Sequence, residues 1–427
     1  MPPKVSVILT SYNRPNLIGK TIESVINQTL KDWELFIMDD ASNKETTEAI
    51  SVYLNDRRIH YVNSGVKNED RYKTTRYATL INEAIPMTKG KYLTYLTDDT
   101  VYFPRRLQLM SEFLDKRPSI DIVYSSQKVQ ILNEQLKIVS ERKRNASRIL
   151  RKAANIVDHC SVMHTRRIAE QVFKKYNSYW DDSPECWHNG DAVFWMRLNE
   201  LQPFYPISNM LDQTVKSPQC FQFLNRHLPN ELPNGTIFQG ISSEIFVIDL
   251  KKRRKITPQM FTVLKYDKGK IVEVTDPLLY KYPLGSEVDQ SVFSNSQLFP
   301  NNRLIQGIDS PEIYYLENNQ RRIVEQQAFK RFGIKISEII PVSNELLSAI
   351  PNGKPLEAII RPHSVIPDNF VFLSGSAYYV SMENQLHLTE INILKKLKLL
   401  TSKVIQLNKA EAIMLKQGAP LNWGFRK

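Results

Sequence analysis

Cysteine is nearly absent, with only Cys160, Cys186 and Cys220 in a chain of 427 residues. They are odd in number, widely spaced and form no CxxC pair. A disulfide framework and a zinc site are therefore not expected, and a reducing, cytoplasmic compartment is. Glycine is scarce too, at 14 residues, which excludes collagen-like or Gly-linker character. No apolar run approaches the roughly 20 residues that span a bilayer, so no transmembrane segment is expected. The one apolar run near the start, 5–9, is too short for a secretory leader. Neither GxGxxG nor GxxxxGK[ST] occurs, so the dinucleotide fingerprint and the P-loop are both missing. The net charge of +12 suggests anionic partners. Its basic residues are scattered and no aromatic-basic RNA motif is present, so nucleic acid is not among those partners.

What is present is an ordinary globular composition, 42% hydrophobic and 24% charged, on a chain long enough for two or three domains. Strands are predicted over 5–9, 34–38, 58–62 and 92–97, with helices between them over 17–26, 45–54 and 79–85. This alternation predicts an α/β domain with a mainly parallel sheet covered on both faces. In such sheets ligands sit beyond the carboxyl ends of the strands. The residues delivered there are Thr10 to Arg14, then Asp39 and Asp40, then Asp98 and Asp99.

Adjacent carboxylates at a strand end repel each other unless a hard cation bridges them to phosphate oxygens. Asp98 and Asp99 are therefore candidates to hold a metal and a nucleotide-sugar diphosphate, the alternative being a solvated turn. Arg71, Lys73 and Arg76 are candidates to neutralise phosphate. Asp191 follows a glycine and precedes an apolar helical stretch. It suits a general base that takes the proton of an attacking hydroxyl, the alternative, not exclusive of it, being a helix N-cap. Asp158, His159 and Trp180, with Asp181 and Asp182, are candidates for an acceptor pocket. The basic residues 142–144 and 148–152 read as a mobile loop by that cleft or as a solvated linker.

The runs VSVILTSYN at 5–13, SVINQT at 24–29, LFIMDDAS at 35–42, TDD at 97–99 and IVDHCSVMH at 156–164 together resemble the family 2 glycosyltransferases. Those are inverting enzymes of the GT-A fold. The resemblance covers roughly residues 1–225 and is nearest to the spore coat polysaccharide enzymes, while the whole chain is similar to a spore-maturation protein. It implies Thr10 and Tyr12 on base and ribose, Asp39 on a uracil or thymine ring, and Arg71 or Arg76 on base or phosphates. Asp98 is implied on the ribose, Asp99 as ligand of Mg2+ or Mn2+, and Asp191 as the base. The implied partners are a UDP- or dTDP-sugar donor and a glycan or glycoprotein acceptor. The implied setting is the mother cell of a sporulating bacterium and its outer spore surface. A non-catalytic spore-surface protein that keeps the GT-A shape is the alternative.

Residues 226–235, rich in Pro, Asn and Gly, read as a linker. Beyond it lie three similar units, 236–300, 301–367 and 368–427, each a hairpin, a helix, a short extended piece and a second helix ending near a glycine. Equivalent residues on the second hairpin strand are taken as Ile256, Ile323 and Leu388. Units of fixed period are expected to stack or string along the chain. They repeat no catalytic cluster, and binding to spore-coat or crust proteins is their expected role. In the pairs Tyr314 with Tyr315 and Tyr378 with Tyr379, pleat alternation predicts one core and one exposed ring. The five basic residues 251–255 read as a protected strand edge or as a site for an acidic glycan.

Overall fold

The computed structural model describes residues 2–422, and the chain forms two compact units, Met1–Cys220 and Phe221–Lys427. In the first unit the strands β1 (Val5–Ser11), β2 (Trp33–Asp39), β3 (Ile59–Asn63) and β4 (Tyr92–Thr97) alternate with α1 (Pro15–Ile26), α2 (Lys44–Ser51) and α3 (Arg76–Met87). They lie in the order β3-β2-β1-β4, all parallel. Every residue of β1 and β2 is buried. Successive residues of β1 enter opposite cores: Ile8 packs with Ile81 and Ile85 of α3, and Val7 and Leu9 with Ile18 and Ile22 of α1. Pro15 opens α1, where its missing N–H leaves no helix bond unmade.

The second part of this unit contains β5 (Thr100–Tyr102), α4 (Arg106–Asp115), β6 (Ile122–Leu132), β7 (Ile138–Arg144), β8 (Val162–Thr165), α5 (Arg166–Tyr176), α6 (Gly190–Asn199) and β9 (Tyr205–Lys216). The nine-stranded sheet runs β3-β2-β1-β4-β8-β6-β9-β5, with β7 paired to β6. Beyond β4 it is mixed: β8 is antiparallel to β4 and β6, and β5 to β9, while β6 and β9 are parallel. Residues 142–144 are thus not a loop. They form the exposed strand β7, whose charges hide a β pattern on an edge facing water.

The second unit holds three four-stranded sheets of one topology, each an antiparallel three-strand meander closed by a parallel strand. The first strands are Ile237–Gln239, Leu304–Gly307 and Val371–Ser374. Each module shares one core with each of the other two. Ile237 and Val247 pack with Ile305 and Tyr314; Leu304 and Tyr315 with Phe372; Phe238 and Phe246 with Val371 and Val380. The modules therefore close into a ring, a closure that the expectation of stacked or strung units did not specify. Tyr314 and Tyr315 are accordingly both buried. Alternation predicted one wet face, but here both faces of the sheet are covered by neighbouring modules.

Pairing also shifts the expected register by one residue. The equivalent positions are Ile256, Val324 and Thr389, which bridge Val288, Leu356 and Leu421. Arg254 and Arg322 then coincide, and both are buried rather than displayed. Arg254 donates to Asp249 (2.6 Å) and to the carbonyls of Ser286 and Leu298. Arg322 donates to Glu317 and to the carbonyls of Lys354 and Val365. Each arginine thus pins the connection to the next module, so Arg254 of the basic run is structural. The terminal glycine of each module lies against this residue: a Cβ on Gly285 would sit 2.9 Å from Arg254 Cγ, and one on Gly418 would sit 2.3 Å from the His387 ring. Among the described residues no helix is long and apolar enough to cross a membrane.

Candidate active site

Parallel register sets the site at the carboxyl rim of the first sheet. Ser11 pairs with Asp39, and Thr10 with both Met38 and Thr97, so the turns after β1, β2 and β4 emerge side by side. Asn13 and Ala41 both take left-handed backbone conformations, with φ of 52° and 53°. The two turns are stitched together, since Asn13 N–H donates to Ser42 Oγ (2.9 Å) and Asn43 N–H to Asn13 Oδ1 (2.7 Å). Thr10 is buried beneath them.

Asp39 is fully buried. Its Oδ2 accepts from Tyr61 Oη (2.9 Å), Asn63 Nδ2 (3.1 Å) and Ser42 N–H (3.3 Å). Its Oδ1 is buried with no hydrogen-bond partner among the described residues. A buried carboxylate oxygen without a donor is costly, and a ligand N–H would relieve that cost. Tyr12 stands over the neighbouring turn, its N–H donating to Asp98 Oδ2 (3.1 Å) and its ring 4.1 Å from the Arg71 guanidinium.

Arg71 and Arg76 are both tied to Asp40. Arg71 donates to its Oδ2 (2.6 Å) and main-chain oxygen (2.6 Å), and Arg76 to its Oδ1 (2.7 Å). All three side chains are buried. Asp40 thus organises the basic pair, and of the two arginines Arg71 is the one that stands against Tyr12.

Burial, with Asp99 beside it, pushes the Asp98 carboxyl up to about 7. Asp99 is one-fifth exposed; its Oδ1 accepts from Thr97 Oγ1 (2.6 Å), and its Oδ2 lies 3.5 Å from Lys216 Nζ. Lys216 ends β9, and its role was not legible, because nothing local in the sequence marks that strand's end. Thr97 Oγ1 also lies 3.4 Å from Cys160 Sγ, which brings the 3₁₀ turn His159–Ser161 against the end of β4.

Asp158 caps that turn and accepts from Arg144 Nη1 (2.7 Å) of β7. Burial would raise its carboxyl, but Lys216, His159 and Arg144 outweigh it and hold it well below the carboxylate range. His159 is stacked on Tyr77 at 6.3 Å, and its Nδ1 is 4.0 Å from Asp191 Oδ2. Burial opposes charge on this ring, yet Cys160, Asp158 and Asp191 raise its pKa to about 10. Asp158, His159 and Cys160 offer three ligand atoms within 4.8 Å of one another.

Asp191 is the second residue of α6 and not its N-cap, which is Asn189. Tyr77 fixes this helix start: its hydroxyl accepts from Gly190 N–H (2.9 Å) and donates to the Cys186 carbonyl (3.3 Å). A Cβ at Gly190 would come within 2.6 Å of that hydroxyl, so only glycine permits the contact. Burial raises the Asp191 carboxyl, partly offset by His159. Trp180, expected in the acceptor pocket, is wholly buried among Tyr95, Phe194 and Trp195, so its faces meet no ligand. It backs His159 edge-on at 6.0 Å. Trp187, half-buried and edge-on to Tyr77 at 6.4 Å, is the more exposed indole beside these residues, and the sequence alone did not single it out.

The chain matches the model of glycosyl transferase family 2 over residues 6–176. It is 42% identical over 393 residues to protein CgeD of Bacillus subtilis, covering 89% of each chain. To the putative glycosyltransferase EpsE of the same organism it is 33% identical over 121 residues, 28% of this chain and 42% of that one. A crystal structure of Staphylococcus aureus TarS 1–349 with UDP aligns at 14% identity over 52% of this chain and 63% of that one. Its TM-score of 0.38 is too low to carry an argument. With a mixed α/β sheet of the GT-A type and these relatives, the chain belongs to the family 2 glycosyltransferases.

Proposed function

We propose that the first unit transfers a sugar, with inversion, from a UDP- or dTDP-sugar to a hydroxyl of a glycan or glycoprotein acceptor. The observation that carries this reading is the unpartnered Asp39 Oδ1, buried at the sheet rim beside Tyr12. Uracil and thymine present a ring N–H to such an oxygen, and the Tyr12 ring offers a face for stacking. Arg71 and Asp40 hold Tyr12 and the turn in place, while Asp98 faces the ribose.

Asp99 supplies a hard oxygen donor that is partly open to solvent, which suits Mg2+ or Mn2+ completing its shell with diphosphate and water. The bound ion would neutralise charge on the departing diphosphate. Lys216, 3.5 Å from Asp99, is a second cation at the same place, and it favours a reading in which the lysine alone does this work.

Asp191, made more basic by burial, takes the acceptor hydroxyl's proton. The acceptor oxygen bonds to the anomeric carbon as the bond to the diphosphate breaks, and nucleoside diphosphate leaves. His159 positions Asp191, and Trp187 offers the acceptor an aromatic face. The sequence's resemblance to spore coat polysaccharide enzymes supports a spore-surface glycan or glycoprotein as the acceptor.

Calorimetric titration with UDP and dTDP, with and without Mn2+, tests the reading. Tight binding that needs Mn2+ in the wild type, is lost in Asp99→Asn and weakens in Asp39→Ala supports it. Binding indifferent to both substitutions refutes it. Metal-independent binding abolished by Lys216→Met selects the lysine reading.

A further inference from the structure

A cavity of about 270 Å³ lies wholly within the second unit, where the three modules converge. Equivalent positions line it. Gly235, Asn302 and Asn369 all open their modules in left-handed backbone conformations, with φ of 82°, 57° and 67°. Lys265, Gly333 and Lys398 follow the first helix of each module with φ of 54°, 66° and 56°. Both sets face this one cavity, so it sits on the axis of the ring.

Its wall is incompletely satisfied. Thr236 Oγ1, Arg303 Nε and Asn369 Oδ1 are buried without hydrogen-bond partners among the described residues, and Thr236 is only 4% exposed. Thr236 and Arg303 occupy the same place in successive modules, and Asn369 is one residue short of that place in the third. The set combines a guanidinium donor, an amide acceptor and a hydroxyl that serves as either.

Among the acids of the wall, Asp267 accepts from Gly269 N–H (2.8 Å), and Asp368 from Asn234 Nδ2 (3.0 Å) and Glu383 N–H (2.7 Å). Lys265 and Lys403 donate to the carbonyls of Ile339 and Lys330, each at 2.5 Å. Lys270, Lys335 and Lys398 have no ion pair among the described residues and face only Glu338 as a further acid. The rest of the wall is apolar and aromatic, from Leu304, Tyr315, Phe332 and Phe370.

We propose that this axial cavity binds one sugar unit bearing a carboxylate or a phosphate. The lysines and Arg303 receive the oxyanion, a sugar hydroxyl donates to Asn369 Oδ1, and the aromatic wall takes a C–H face. A bare phosphate meets the donors but leaves the asparagine oxygen unfilled. A neutral sugar leaves the lysines uncompensated. The cavity lies just under the roughly 300–1,000 Å³ of common small-molecule sites, which suits a single ring. The proposal is independent of the chemistry assigned to Asp191.

The test is calorimetric titration of the full chain with glucuronate, glucose 1-phosphate, glucose and inorganic phosphate. Glucuronate or glucose 1-phosphate is expected to bind at least about ten-fold more tightly than glucose or phosphate, a gap of about 1.4 kcal/mol. Which of the two binds better tells carboxylate from phosphate. Arg303→Gln is expected to weaken that binding about ten-fold with UDP binding unchanged. Should that variant melt early, Lys270→Gln with Lys398→Gln, both only half-buried, gives the same reading without touching the core. No binding at millimolar concentrations, equal binding of glucose or phosphate, or charged-sugar binding untouched by the lysine pair overturns the proposal.

Discussion

The two units use the same residue types to opposite ends. In the ring, buried acids are saturated: Asp249 meets Arg254 and Asn301, and Glu317 meets Arg322 and the Asp368 N–H. In the first unit, Asp39 is equally buried yet keeps one oxygen without a donor. A saturated acid holds structure together, whereas an unsaturated one waits for a ligand. Burial alone therefore does not separate scaffold from site; the inventory of filled lone pairs does.

Four substitutions or conditions sharpen this contrast, and the first carries the largest effect. Asp191→Asn is expected to lower the transfer rate by about 10³-fold or more, since a general base contributes about 10²–10⁴-fold. Nucleotide binding should persist, and steady-state kinetics with a turned-over donor, beside calorimetry, checks both. In the ring, Arg322→Met strands Glu317 in the core and is expected to cost roughly 3–5 kcal/mol. Chemical denaturation should show the second unit weakened while UDP affinity is unchanged; a matching loss of UDP affinity would break the comparison.

The third concerns His164, whose ring is buried between Tyr95 Oη (2.8 Å) and the Thr165 carbonyl (2.9 Å). Burial lowers its pKa from 6.5 to about 4, so the folded state holds it neutral. Its contribution is complete above the unfolded pKa of about 6.5 and is lost as pH falls towards 4, by up to about 3 kcal/mol. Denaturation of the wild type across that window should show the loss, and His164→Gln should flatten it. The smallest effect on binding is that of Asp39→Ala, which should reduce UDP affinity by about 1–3 kcal/mol, the value of one buried hydrogen bond to a charged group, measured by calorimetry below a melting point that falls because Tyr61, Asn63 and Ser42 lose their shared acceptor.

Much of the first unit was legible because its order is local. Apolar runs such as 5–9 and 34–38 become buried strands, and each ends where a polar turn begins, so Thr10, Asp39 and Asp98 reach one rim by register alone. What was illegible depends on partners distant in sequence. Lys216 comes to Asp99 only because β9 pairs with β5 and β6, a mixed arrangement that no local pattern specifies. Trp180 sits among candidate polar residues in sequence yet faces Phe194 and Trp195 in the core. In the second unit the repeat was visible but its closure was not, because a ring and a string share one periodicity. Tyr314 with Tyr315, one on each face, carried the trace of closure: two large rings on adjacent pleats ask for two dry faces.

Closure has a consequence for copy number. A string of modules grows by adding one more at either end, and its stability rises with each. Here the third module bonds back to the first, with Asn234 donating to Asp368 (3.0 Å) and Lys251 paired with Glu383. A duplicated fourth module would find no free face and could enter only by re-angling every other interface. The count is set by geometry, as teeth are in a closed gear, so lineages of this unit are expected to vary in loop length and surface but hold at three.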